Sequence, residues 1–410
     1  MVFGGQGLGR LDNKVYFVWN ALPGELVEVE VTKEKKSFGE GIARNILESS
    51  PDRIEPKEDH YLSCSPWQIM TPEAEDAAKI QVTKDIYLRN AKLELPQNLE
   101  ITSDQSAFYH YRHKMEFAFI EKNGFLSLSI MNRDSHNKAA VSDCCLAASI
   151  INKRAGEVLA FLNAKKMAAD DLQYISLRAD TSGSCLADLY LTRDISREAL
   201  TEMVESMTWL RIIQSDNSVA HDTAYENYQL TEEINGITFH FTPDVFFQIN
   251  VPMFKKCFER LASFIPDRSE VIDCYAGVGS ISLPHATRVK SVVLIEDQVE
   301  SCRYASQNIE LNNFDNVDVI NGSAEKLSQI NLKDKVLILD PPRAGLSPSV
   351  IDSILAGEPK IILYLSCDPA TQARDVAILL EKYELKHIEL FNFFPRTPHV
   401  ESLVILSLKQ

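Results

Sequence analysis

Residues 361–375 read IILYLSCDPATQARD. The apolar run 361–365 predicts a short buried strand that delivers Ser366, Cys367 and Asp368 at its C-terminal end. Pro369 then opens a helix running through Ala370, Ala373 and Val376 to Leu380, with the proline in its favoured first turn. In open α/β sheets, ligand sites lie outside the carboxyl ends of the strands. Cys367 is therefore placed as a nucleophile would be, beside a helix N-terminus expected to lower its pKa. A small residue filling a strand-to-helix turn would look the same, since cysteine is also a common core residue.

Outward from this unit the pattern repeats. Strand candidates VIDC (271–274), SVVLIE (291–296), VDVI (317–320) and KVLILD (335–340) precede it, with helical patterns between them. That alternation predicts a parallel, doubly wound sheet. KHIELFNFF (386–394) and SLVILSL (402–408) follow too closely for a crossover helix, so they are expected to pair antiparallel. Residues 241–410 thus form one α/β domain of seven strands.

The N-terminal half divides differently. Residues 1–48 alternate like short strands around a Pro23-Gly24 turn and predict a five-stranded barrel of the OB type, with Lys33, Lys35, Lys36 and Arg44 as a basic edge. Residues 49–240 combine a proline-containing linker, a helical period over about 74–93, and α+β material with a hairpin at Asn123-Gly124. Tyr109, His110, Tyr111, Arg112, His113 and Lys114 interleave aromatic and basic side chains, a mixture suited to stacking on bases and touching phosphates, or to a half-buried strand.

Composition narrows the class. The 410 residues hold ample material for a core, and no window approaches the ~18 uninterrupted apolar residues of a membrane span. The first residues lack the apolar stretch of a signal peptide, so a cytoplasmic protein is expected. Eight scattered cysteines without a C-x-x-C pair point to free thiols. A formal charge of −16 means that nucleic-acid binding requires a local basic patch.

Chemistry concentrates after the strands. Asp273-Cys274-Tyr275-Ala276-Gly277-Val278-Gly279 follows the first, and Glu296 ends the second. Glycines permit close backbone approach, and a carboxylate at that distance can accept both ribose hydroxyls of a nucleoside. No third glycine follows at the pyrophosphate position, which favours a nucleoside without a diphosphate. Asp340-Pro341-Pro342-Arg343 follows the fourth strand; Arg343 stands where amine-directed base methyltransferases carry an aromatic residue. Cys367 after the fifth strand and Glu401 before the last supply a thiol and a carboxylate. Carbon methylation of a pyrimidine needs both: a thiolate adding to C6 activates C5, and a base then removes the C5 proton.

Together, FFQIN (246–250), DCYAGVG (273–279), Glu296, DPPRAG (340–345), SCDPATQARD (366–375) and FPRTPHVE (394–401) resemble the RNA (uracil-5-)methyltransferase family. The resemblance implies a Rossmann-like seven-stranded, S-adenosylmethionine-dependent domain, an OB-type TRAM barrel at 1–48 and a central RNA-binding domain. It implies transfer of a methyl group to C5 of a uridine in rRNA or tRNA. By position, Cys367 would be the nucleophile and Glu401 the proton acceptor. Gln248, Tyr275, Gly277, Glu296 and Asp340 would hold S-adenosylmethionine, and Phe246 and Arg343 would contact substrate. RNA is the expected partner of a monomer that does not engage membranes.

The chain also departs from the family. Relatives with a TRAM domain often bind a four-iron cluster through cysteines before a Q-H motif plus one distant cysteine, whereas here Cys64 is the only cysteine in that stretch, with Cys144-Cys145 available as the distant one, which leaves two or three thiols without the cluster spacing. No iron–sulfur cluster and no metal ligands are expected, the linker being held by Trp67, Ile69 and Met70. Asn392 and Arg396 replace the usual acidic and amide residues beside the FP motif, and Ser323 an acidic residue near the adenine. RNA cytosine-C5 methylation, or RNA binding by a scaffold without activity, are the alternatives.

Overall fold

The computed structural model describes residues 1–133, 137–193, 197–215 and 228–410. The central strands of the C-terminal half, Val336–Leu339 and Ile361–Ser366, are apolar on both faces, and in the sheet they are buried on both faces. In spatial order that sheet runs Val317–Asn321, Ser291–Glu296, Glu270–Cys274, Val336–Leu339, Ile361–Ser366, Glu401–Leu408, Tyr383–Phe391 and Ile101–Thr102. The first five are parallel, and Glu401–Leu408 inserts antiparallel between Ile361–Ser366 and Tyr383–Phe391. The expected seven strands and terminal antiparallel pair are present.

An eighth strand was not expected. Ile101–Thr102 pairs parallel with Leu390 and Phe391 and covers what would be a bare edge. The helix leading to it, Pro72–Ala91, starts earlier than the apolar period indicates, because Thr71 caps it by accepting from Ala74 N–H and Pro72 follows in the first turn. It lies on the helix Pro369–Leu379, where Tyr87 donates to Gln372 Oε1 at 2.9 Å. Residues 72–102, assigned from sequence to the central unit, thus pack with the C-terminal sheet.

Among the described residues the central sheet has six strands, in the order Leu210–Ile213, Cys185–Leu191, Leu172–Ala179, Lys114–Lys122, Phe125–Met131 and Lys138–Val141. Asn123 and Gly124, both at positive φ, make the expected two-residue hairpin turn. In the N-terminal sheet four strands pair among the described residues, ordered Gly7–Leu11, Lys14–Trp19, Phe38–Glu48, Leu26–Glu34, rather than five. One 11-residue strand, Phe38–Glu48, pairs on both sides and does the work expected of two. Two of the four residues of its basic edge are paired with carboxylates, Lys33 with Glu40 and Arg44 with Glu30.

Trp67, Ile69 and Met70 are buried together with Leu22, and Trp67 Nε1 donates to Gly5 O at 2.9 Å. A buried polar knot ties the long helix to the loop before Glu401. Lys79 Nζ lies 2.8 Å from Glu75 Oε1 and 2.6 Å from Asn392 Oδ1. Asn392 Nδ2 and the Arg396 backbone N–H donate back to Glu75 at 3.1 and 3.0 Å. The Arg396 guanidinium lies over Phe108, 4.6 Å from the ring centre.

Candidate active site

The end of the strand Ile361–Ser366 presents Cys367 half-buried in a cleft of about 270 Å³, walled by Arg343, His399, Lys79 and, from the N-terminal domain, Phe3 and Gly4. Gly5 explains that approach: at φ +101°, a Cβ there would lie 2.8 Å from Pro398. Antiparallel register sets Ser366 opposite Ser402, which brings Glu401 to the same end of the sheet.

The electrostatics correct one expectation. The Cys367 thiol is pushed up to about 12, by burial and by the carboxylates of Glu401 and Asp340, against a lowering contribution from a hydrogen bond to Arg343. The neighbouring helix gives little relief, because the Asp368 carboxylate already accepts the Ala370 and Thr371 N–H groups at 2.9 and 3.0 Å. Burial raises Asp340 to about 7, and burial followed by the Asp340 charge raises Glu401 well above the usual carboxylate range. A thiol with this pKa has a thiolate fraction that rises about tenfold per pH unit from pH 7 to 10. Iodoacetamide alkylation of Cys367, followed by peptide mass spectrometry, should rise in step and should be slower in Arg343→Ala. A rate already flat at neutral pH would mean that the thiol is ionised.

A second group lies behind the glycine turn. Tyr275 and Gly277 both have positive φ, and a Cβ on Gly277 would meet nothing nearer than Phe246 O at 4.0 Å. Glu296 Oε2 accepts Gly277 N–H and its Oε1 accepts Gln298 N–H, each at 2.9 Å. Phe246 is 60% exposed beside this turn, while Gln248 is buried, its carbonyl accepting from Arg178 at 3.0 Å. Asp273 is fully buried with neither carboxylate oxygen in hydrogen-bond geometry; burial raises it to about 7, and it feels the charges of Asp340 and Glu296. Of the nine residues singled out by sequence, Cys367, Glu401, Asp340 and Arg343 thus gather in one group and Phe246, Tyr275, Gly277 and Glu296 in another, Asp273 sensing Asp340 and Glu296, while Gln248 is buried against Arg178 two residues from Phe246.

The structure adds residues that sequence reading passed over. Burial and the positive charges of Arg343, Lys79, Arg112 and Arg133 lower His399 to about 4. A second cleft of about 120 Å³, sharing Arg343, Pro398 and His399 with the first, is lined by Arg112, Arg133 and Tyr111. This is the local basic patch that the −16 charge demands. Tyr111, in contrast, is no stacking platform: it is buried and donates to Pro395 O at 3.0 Å.

No helix among the described residues is long and apolar enough to cross a membrane. The TRAM domain family model matches residues 3–43, and the tRNA (uracil-5-)-methyltransferase family model matches residues 79–409. An RNA methyltransferase of Fusobacterium nucleatum, described as uncharacterized, is 29% identical, over 100% of this chain and 94% of its own length. One from Nitratidesulfovibrio vulgaris, similarly described, is 30% identical over 99% and 94%. The crystal structure of the tRNA (uracil-54, C5)-methyltransferase of Pyrococcus abyssi, in complex with S-adenosyl-L-homocysteine, superposes with a TM-score of 0.75 at 21% identity, over 98% of this chain and 97% of that one. That likeness shares the Rossmann-like fold. The family model covers most of the chain, so the chain belongs to the tRNA (uracil-5-)-methyltransferase family and is an RNA methyltransferase.

Proposed function

We propose that the protein methylates C5 of a uridine in rRNA or tRNA through a covalent bond between Cys367 and C6 of the base. The observation that carries this reading is the convergence of a thiol, a guanidinium and two buried carboxyls at one end of the sheet: Cys367 and Arg343 line one cleft, and the charges of Glu401 and Asp340 act on Cys367 from behind it. The open space over Gly277 and the Glu296 carboxylate fit S-adenosylmethionine, with Tyr275, Gln248, Phe246 and Asp340 around it. When bound, that cofactor supplies an electrophilic methyl group, which C5 of the activated ring accepts.

The chain's own residues do the rest. Cys367 loses its proton to solvent, the Arg343 guanidinium favouring the thiolate, and the sulfur forms a bond to C6 while the ring electron pair moves toward O4. After C5 is methylated, Glu401 takes the C5 proton; the double bond reforms as the C6–S bond breaks and its electron pair returns to sulfur. Glu401 acts in this step as the carboxylate, and a buried carboxylate with a raised pKa is a stronger base than an exposed glutamate. The uridine must leave its stack to reach Cys367, and Arg112, Arg133 and Arg343 are placed to hold its phosphates. The reading includes a cytoplasmic monomer, a reducing setting that keeps Cys367 free.

Transcripts of rRNA and tRNA carrying 5-fluorouracil test it. Fluorine at C5 cannot leave as a proton, so a stable protein–RNA adduct through Cys367 is expected with one RNA class, and 5-methyluridine with the unmodified transcript. Product that is 5-methylcytidine instead, or an adduct that survives in Cys367→Ala, would sink the assignment.

A further inference from the structure

The linker between the N-terminal sheet and the helix Pro72–Ala91 carries a cluster of metal-ligating side chains that methyl transfer does not use. Glu58, His60 and Cys64 each offer a donor atom, all within 4.8 Å of one another. Cys64 Sγ lies 3.4 Å from His60 Nδ1 and 3.2 Å from Glu58 Oε1. Around a tetrahedral zinc ion, neighbouring sulfur, nitrogen and oxygen donors stand about 3.5 Å apart. The Cys144 thiol, on the segment between Lys138–Val141 and the helix Ser149–Ala164, interacts electrostatically with the Cys64 thiol; it stands outside the group of three and is the donor that a bound ion would draw in as the fourth.

Outer contacts orient these groups as in metal sites. His60 Nε2 lies 3.0 Å from Asp143 O, so an N–H there donates to the carbonyl and leaves the Nδ1 lone pair facing Cys64. Glu58 Oε2 accepts the Cys145 N–H at 2.8 Å, and its Oε1 accepts Gln68 Nε2 at 3.0 Å. The Glu58 and His60 side chains are only 9% and 13% exposed, which removes them from competing water. Gln68 also donates to Cys145 Sγ at 3.4 Å, which occupies that thiol in the outer ring rather than the inner one.

We propose that Glu58, His60, Cys64 and Cys144 form a mononuclear site for a zinc-like divalent cation that pins the linker to the central domain. Two thiolates, one imidazole and one carboxylate are a zinc donor set, and they fall short of the four thiolates that a four-iron cluster takes. On binding, both S–H bonds break, their protons leave to solvent and two metal–sulfur bonds form. Read along the chain, cysteine spacing predicts no metal; the donors meet only in the fold, and two of the four are not cysteines. The site has a structural consequence for RNA, because Cys64 also lines the cleft that holds Arg112, Arg133 and Arg343.

The test uses the full chain, expressed with added zinc. Elemental analysis after gel filtration should find one zinc per chain, and the metal-depleted protein should take up one Co²⁺ with a thiolate-to-cobalt charge-transfer band. Cys64→Ser and Cys144→Ser should each weaken Co²⁺ binding at least about tenfold, while Cys145→Ser keeps it. Chelation should lower the Tm of the wild type, a readout that does not depend on any variant folding. Wild-type protein that binds neither zinc nor cobalt, a multi-iron cluster with acid-labile sulfide, or unchanged Co²⁺ affinity in Cys64→Ser would each overturn the proposal.

Discussion

Cys367→Ala is expected to lower 5-methyluridine formation by about 10⁴-fold or more, the scale on which a covalent mechanism fails without its nucleophile. The cofactor site proposed at Gly277 and Glu296 is built from other strands, so affinity for S-adenosylmethionine should stay within about twofold of wild type. Single-turnover transfer of labelled methyl to the transcript, with cofactor binding measured in parallel, checks both halves. Glu401→Gln should fail differently. The thiol still adds and C5 is still methylated, but the proton stays on C5, so methylated RNA accumulates on the protein instead of being released. Residual turnover within tenfold of wild type in Cys367→Ala would remove the covalent route altogether.

The second large effect is on stability. Glu75→Ala should destabilise the protein by about 3–5 kcal/mol, read from urea unfolding, because it breaks a fully buried ion pair from one side only. Lys79 would then face the Arg396 cation without its counter-charge, and the Arg396 backbone N–H would lose its acceptor. Replacing an exposed member of a surface pair, as in Glu300→Ala beside Arg303, should cost no more than about 1 kcal/mol. The comparison separates burial from mere charge pairing.

The same knot shows where sequence reading reached its limit. Asn392 and Arg396 stand out along the chain only as departures from a motif. In the fold they are half of an arrangement whose other half, Glu75 and Lys79, lies on a distant helix. Pair chemistry of that kind leaves no periodic trace. The parallel strands, in contrast, were legible because burial on both faces makes each a continuous apolar run, and Cys367, Asp340 and Glu401 were legible because each sits at the end of one. The two-residue strand Ile101–Thr102 carries too little sequence to register. The acidity of Cys367 was read in the wrong direction, since the helix N-terminus was visible but the Asp368 side chain capping it, and the carboxylates opposite, act through space. His399 gains its cationic surroundings from Lys79, Arg112, Arg133 and Arg343, four positions that only tertiary structure gathers.

Phe3 and Gly4 wall the cleft around Cys367, and Gly5 packs against Pro398. The N-terminal domain is thereby unsuited to exchange as a free-standing cassette. A chimera that takes its first 48 residues from a relative would import part of the wall around Cys367 along with the TRAM domain. A bulkier residue at position 5 would push against the loop leading to Glu401. Recombination among such enzymes is therefore expected to keep residues 3–5 and 394–401 together from one parent, although almost the whole chain lies between them.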